Sequence, residues 1–126
     1  PGVMLAIYVA DCGAVYLIDE KNKAIGLVHS GKKGTDAEIT RVALEKMAKE
    51  YGTQPADVIA VLAPCIRPPA YDFDFAADIR ETLENTGVKR FADCGICTSS
   101  DLKKYYSYRV EKGATGRMLA LLGIEA

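Results

Sequence analysis

The chain contains a single histidine and almost no net charge. It also lacks any apolar stretch long enough to cross a bilayer and a second cysteine pair to match its one C-x-x-C. Each shortage removes a class of protein. With 16 basic and 17 acidic residues the formal charge is -1, so neither the broad basic footprint of a nucleic-acid binder nor that of a membrane-surface protein is present. The apolar segment Val3 to Val9 is too short for a transmembrane helix or a signal-peptide core. Cys12, Cys65, Cys94 and Cys97 are too widely spaced for a secreted disulfide scaffold. Cys94-Gly95-Ile96-Cys97 has neither the partner pair of a zinc finger nor the strand-then-helix context of a thioredoxin motif. These shortages together predict a cytoplasmic protein without nucleic-acid or membrane partners. The sequence opens on Pro1 rather than Met, from which an upstream segment is expected.

What remains is an ordinary globular composition, 49% hydrophobic and 26% charged over 126 residues. That length predicts one domain over residues 1–126, N-terminally incomplete, with a core large enough to need no disulfide or metal for folding. Val3 to Val9 reads as a strand buried on both faces, followed by strands at Ala14 to Ile18 and Ala24 to Val28 that form a hairpin. His29 to Gly34 reads as a tight loop. Thr35 or Asp36 is placed to cap a helix from Ala37 to Tyr51, whose apolar stripe includes Ile39, Val42, Ala43 and Met47. Val58 to Ala63 is a buried strand, the three prolines of Pro64 to Pro69 exclude a helix there, and Asp74 to Thr86 is helical. A short strand at Val88 to Phe91, a short helix at Ser99 to Lys104 and a last strand at Arg117 to Ile124 complete the order. Strands interleaved with helices in this way predict an α/β fold, a mixed β-sheet with packed helices.

Two apolar runs end on reactive side chains, Cys12 and His29. Thiolate and imidazole are both good zinc or copper ligands, although a catalytic zinc takes three protein ligands and an open position. Asp11, Asp93 or another cysteine would have to supply the third. The same pair suits a thiol nucleophile with its base. Ser30-Gly31-Lys32-Lys33-Gly34, ahead of a helix, suits an anion without being a P-loop. Arg67, Arg109 and Arg117 each offer a planar fork to an anion, and Tyr106 and Tyr108 offer flat faces to a ring.

In sequence order the chain carries Pro1-Gly2-Val3 leading to Ala10-Asp11-Cys12, then His29-Ser30-Gly31-Lys32-Lys33-Gly34, Pro64-Cys65-Ile66 and Tyr71-Asp72. Asp93 with Cys97-Thr98, Ser107-Tyr108-Arg109 and Thr115-Gly116-Arg117 follow. This ordered set resembles the multicopper polyphenol oxidase, or laccase-domain, family, whose members are described as zinc-dependent purine nucleoside phosphorylases with some adenosine deaminase activity. The resemblance implies the family's own α/β fold, shared with a group of cysteine hydrolases. It also implies a metal site of two histidines and one cysteine, with the cysteine at Cys12 and the second histidine at His29. The family's first histidine belongs to an N-terminal half with no counterpart in this sequence. Lys32 and Lys33 stand where the family usually has tryptophan and arginine, Pro69 and Ala70 where it has further cysteines, and Val110 where it has a second arginine.

Three functions follow. The first is a purine nucleoside phosphorylase, with zinc ahead of copper as the metal. In it Cys12 and His29 are metal-binding and catalytic, and Lys33, Arg67, Tyr108 and Arg109 bind nucleoside and phosphate. The second is a metal-free Cys-His hydrolase or amidase. The third is a shortened, non-catalytic relative that binds a ligand or partner, for which exposed strand edges predict a homo-oligomer.

Overall fold

A computed structural model describes residues 2–125. Its strands and helices are β1 (Met4–Val9), β2 (Gly13–Asp19), β3 (Ala24–Ser30), α1 (Lys32–Asp36), α2 (Ile39–Tyr51), β4 (Ile59–Leu62), α3 (Phe75–Thr86), β5 (Arg90–Asp93) and β6 (Met118–Gly123). A 3-10 turn, Pro55–Asp57, leads into β4.

Four strands form the central sheet in the order β3-β2-β4-β5. The β2–β3 and β2–β4 pairs are antiparallel and β4–β5 is parallel, so the sheet is mixed. Side chains alternate between the faces of a strand. Val15 and Leu17 of β2, Val28 of β3, and Ala60 and Leu62 of β4 therefore share one face with Leu44 and Met47 of α2 and Ile79 and Leu83 of α3, and these residues make the main core. Ala14 and Tyr16 point to the other face, where Val9 and Ala120 from a separate two-stranded ribbon, β1 paired antiparallel with β6, pack against them.

The ribbon corrects one expectation. Val3 to Val9 is apolar on both faces but buried on only one: Met4 is 62% and Tyr8 66% exposed. Its partner is β6 alone, so a continuous apolar run marks here a two-stranded ribbon rather than a strand inside a sheet. Two further differences lie near His29. Strand β3 runs on to Ser30, and the glycine-bounded stretch after it is not a loop but α1. Glu38 then takes a left-handed conformation (φ +54°) and separates α1 from α2, so neither Thr35 nor Asp36 caps the longer helix. The Thr35 hydroxyl is instead buried against Ser30 Oγ at 2.7 Å. Ser99 to Lys104 forms turns rather than a helix, with the Asp101 carboxylate accepting from Lys103 N. The strand expected at Val88 starts two residues later, at Arg90.

Candidate active site

Three residues, Ala10 to Cys12, connect the ribbon to the central sheet, and Asp11 sits at their centre. It is buried at φ +87°, a region non-glycine residues seldom occupy. One carboxylate oxygen accepts from Thr98 Oγ1 at 2.6 Å, the other from Arg109 N at 2.7 Å, and its carbonyl accepts from Ile66 N at 2.8 Å. One side chain and its main chain thus draw together the segments carrying residues 66, 98 and 109. Both carboxylate oxygens are occupied by donors, which accounts for the buried charge and leaves Asp11 engaged as a tether rather than turned toward a third ligand position.

Around this tether lies a cavity of about 680 Å³ lined by Tyr8, Cys12, His29, Lys32, Tyr71 and Tyr108, together with Arg109, Lys112 and Arg117. His29 is the penultimate residue of β3, opposite Ala14, and so faces the ribbon side of the sheet. Gly31 lies beside both residues: a methyl group in place of its hydrogen would sit 2.7 Å from Cys12 Sγ and 4.0 Å from His29 Nε2, so a larger side chain there would press on the Cys12 thiol. Burial, assisted by the Asp11 carboxylate, pushes the Cys12 thiol above its ordinary range, while Arg117 pulls it the other way.

Electrically the cavity is unlike the molecule as a whole. Lys32, Arg109, Lys112 and Arg117 place four cations on its wall, in a chain whose net charge is -1. Several lie over rings: the Arg109 guanidinium is 5.2 Å from the Tyr71 centroid, Arg117 is 5.4 Å from Tyr108, and Lys32 is 4.0 Å from Phe73. Tyr71 in turn packs on Phe75 at 5.1 Å. Asp72 lies 3.8 Å from Arg109, and Lys32 is paired with Asp36. A basic wall interleaved with aromatic faces suits a ligand that is both anionic and flat.

Of the residues singled out in the sequence, Cys12, His29, Tyr108, Arg109 and Arg117 line this cavity and Lys33, Arg67 and Tyr106 do not. Lys33 is exposed, and its neighbour Lys32 takes the place on the wall. Arg67 is committed elsewhere. Its guanidinium makes a two-pronged pair with Asp93 at 2.8 and 2.6 Å and donates through Nε to Ile96 O at 2.9 Å. That bonding holds Asp93 below the ordinary carboxylate range and raises Arg67 further. A planar arginine beside an isolated carboxylate is a structural clamp joining the loop after β4 to the end of β5. Tyr8 and Lys112 carry no signal of a site in the sequence, because Tyr8 lies inside an apolar run and Lys112 in a loop without periodicity, and Tyr71 stands out only within the Tyr71-Asp72 motif.

The four cysteines are free. Cys65 is fully buried, and burial pushes its thiol up to about 12, which keeps it protonated and inert. Among the described residues no three His, Cys, Asp or Glu side chains are grouped to hold a metal ion.

Comparison with known proteins gives this geometry a context. The family model for multi-copper polyphenol oxidoreductase laccase matches residues 1–81 and again 70–125. A purine nucleoside phosphorylase from Deinococcus radiodurans is 31% identical over 150 residues, covering 98% of this chain and 58% of the relative. Purine nucleoside phosphorylase YlmD from Bacillus subtilis is 27% identical over 154 residues, covering 98% and 55%. The crystal structure of YlmD from Geobacillus stearothermophilus superposes with a TM-score of 0.93 at 26% identity, over 97% of this chain and 57% of that one. The chain thus spans little more than half the length of these relatives. The match runs through every segment that lines the cavity, and the chain belongs to the multi-copper polyphenol oxidoreductase laccase family.

Proposed function

We propose that the cavity is the substrate-binding part of a purine nucleoside phosphorylase. The observation that carries this reading is the convergence of a soft donor pair, a basic wall and stacked tyrosines in one cavity of a chain whose relatives bear that name. In phosphorolysis an oxygen of inorganic phosphate forms a bond to the ribose C1′, the bond from C1′ to the purine nitrogen breaks, and the purine leaves with a proton. Two charges need management: the phosphate must be held, and the electrons moving onto the base must be met by a proton or a cation. Arg109, Lys112 and Arg117 are assigned the phosphate, for which guanidinium forks and an ammonium are suited. Tyr71 and Tyr108 are assigned the flat faces of the nucleoside.

Cys12 and His29 are assigned to zinc, as two of its ligands. A bound zinc would act as a Lewis acid at this position. Since the described residues offer only two donors, no step is routed through it. Adenosine deamination, in which water adds at C6 of the purine and the 6-amino group leaves as ammonia to give the 6-oxo base, belongs to the same reading as a secondary activity. The metal-free alternative, with Cys12 as nucleophile and His29 as base, is disfavoured because burial and Asp11 both hold the thiol protonated.

The test is incubation with inosine or adenosine and inorganic phosphate, followed by chromatography for free base and ribose 1-phosphate. Phosphate-dependent base release that Arg109→Ala abolishes supports the reading. Release independent of phosphate, or nucleosides left intact with zinc supplied, overturns it.

A further inference from the structure

The motif Cys94-Gly95-Ile96-Cys97 lines no part of the cavity. It follows β5 directly, and turns rather than a helix come after it. Its register against the chain leaving β4 carries a surplus residue. Leu62 stands opposite Asp93 and Cys65 opposite Cys97, so three steps on one side face four on the other. Cys94 N donates to Leu62 O and Cys65 N to Ile96 O, which fixes both ends of the motif to the same neighbouring segment. Gly95, at φ +74°, takes up the surplus as a bulge. One step on from the Leu62–Asp93 pair, Cys94 falls in line with Ala63, while Cys97 is in line with Cys65. Positions two apart share a face of the ladder, at a separation of about 6.6 Å. The register therefore sets the two cysteine α-carbons within the ~4.4–6.8 Å that a disulfide spans, where an unbulged strand would hold them about 10 Å apart on opposite faces.

The two thiols differ in setting. Cys94 is exposed and Cys97 is half-buried. The Arg67 main-chain N–H donates to Cys97 Sγ at 3.3 Å, and the Ser99 hydroxyl lies 3.0 Å from the same sulfur. Donors aimed at a sulfur favour its thiolate. Arg67 is itself held by Asp93 and Ile96 O, and Thr98 by Asp11, so the Cys97 end is fixed while Cys94 stands open. Cys65, though opposite Cys97, is fully buried and stays protonated, which removes it as a partner.

The geometry points to a redox site: Cys94 and Cys97 exchange with a low-molecular-weight disulfide and close into an intramolecular one. The Cys94 thiolate attacks one sulfur of that disulfide, its S–S bond breaks, and the first small thiol leaves. The Cys97 thiolate then attacks the Cys94 sulfur, the mixed S–S bond breaks, and the second small thiol leaves. The two protons given up by the cysteines pass through solvent to the departing thiolates, and the two electrons lost by the pair reduce the external disulfide. The exchange is separate from the phosphorylase reading, since neither thiol lines the cavity.

The test incubates the reduced whole chain with oxidised glutathione near neutral pH, blocks remaining thiols with iodoacetamide and reads tryptic peptides by mass spectrometry. Both cysteines fall in one peptide, residues 91–103. In the wild type that peptide is expected to be unalkylated and two hydrogens lighter than its reduced form. Cys97→Ser is expected to trap glutathione on Cys94 at a level at least tenfold above the wild type. The wild-type peptide map does not depend on how well the variant folds. Glutathione that stays on Cys94 in the wild type, a bond to the peptide carrying Cys65, or a peptide that remains fully alkylated overturns the proposal.

Discussion

Asp11 does at the scale of one residue what a longer loop would otherwise do. Its two oxygens accept from Thr98 and from the Arg109 main chain, and among the described residues neither donor has another acceptor. Asp11→Asn keeps the size but has a single oxygen, so one of those donors is left facing an amide N–H. The expected loss is roughly 1.5–3 kcal/mol, the range for a hydrogen bond to a charged group, read from urea denaturation. The Arg67–Asp93 pair makes a different prediction. Asp93 titrates in the folded protein below its ordinary 3.8. Its contribution is therefore fully present above that value and is lost as pH falls through the folded pKa. Comparison of wild type with Asp93→Asn by chemical denaturation should show the wild type more stable at pH 6 by roughly 1–3 kcal/mol, with the gap closing below pH 4. A gap constant down to pH 3 would show that the carboxylate charge contributes nothing. Neither role was visible in the sequence. Asp11 lies 87 residues from Thr98 and Asp93 lies 26 from Arg67 along the chain, and an arginine offered to an anion looks the same as one already holding a carboxylate.

Helices α2 and α3 begin in opposite ways. Asp74 accepts from Ala77 N at 3.0 Å and caps α3 with its side chain, whereas α2 begins after Glu38 with no side-chain cap and a left-handed backbone. Asp74→Ala is expected to cost about 1 kcal/mol. Glu38→Gly is expected to be neutral or stabilising by up to ~1 kcal/mol, because glycine adopts the left-handed region freely and the Arg41 contact it loses is exposed. Thermal melts should show Asp74→Ala lowered and Glu38→Gly unchanged or raised, and a loss for Glu38→Gly as large as that for Asp74→Ala would contradict the contrast. Elements with a clear period were legible: the 3.6-residue stripe found α2 and α3, and Gly52 and Gly87 end them in left-handed conformations as helix C-caps. Elements without a period were not. Strand β1 is apolar at every position, and such a run does not say which of its faces is covered.

Over the whole molecule, a near-neutral chain concentrates four cations on one cavity. Anions should be drawn to it by a local field that salt screens. Calorimetric titration with inorganic phosphate is expected to weaken by about threefold between 10 and 150 mM added chloride, whereas a salt-independent affinity would remove steering from the account. The α/β class was legible in the sequence, and Cys12 and His29, singled out there near the ends of apolar runs, line one cavity. The split into a four-stranded sheet and a separate ribbon was not, since it depends on β1 pairing with β6 across more than a hundred residues. That same pairing has a topological consequence. Gly2 N donates to Ile124 O at 2.9 Å, so the two ends of the described chain are neighbours across a single ladder rung. Each strand of the ribbon is thus held in place by the other, so a change that frees β6 also frees the chain as far as β1, far apart as the two lie in sequence.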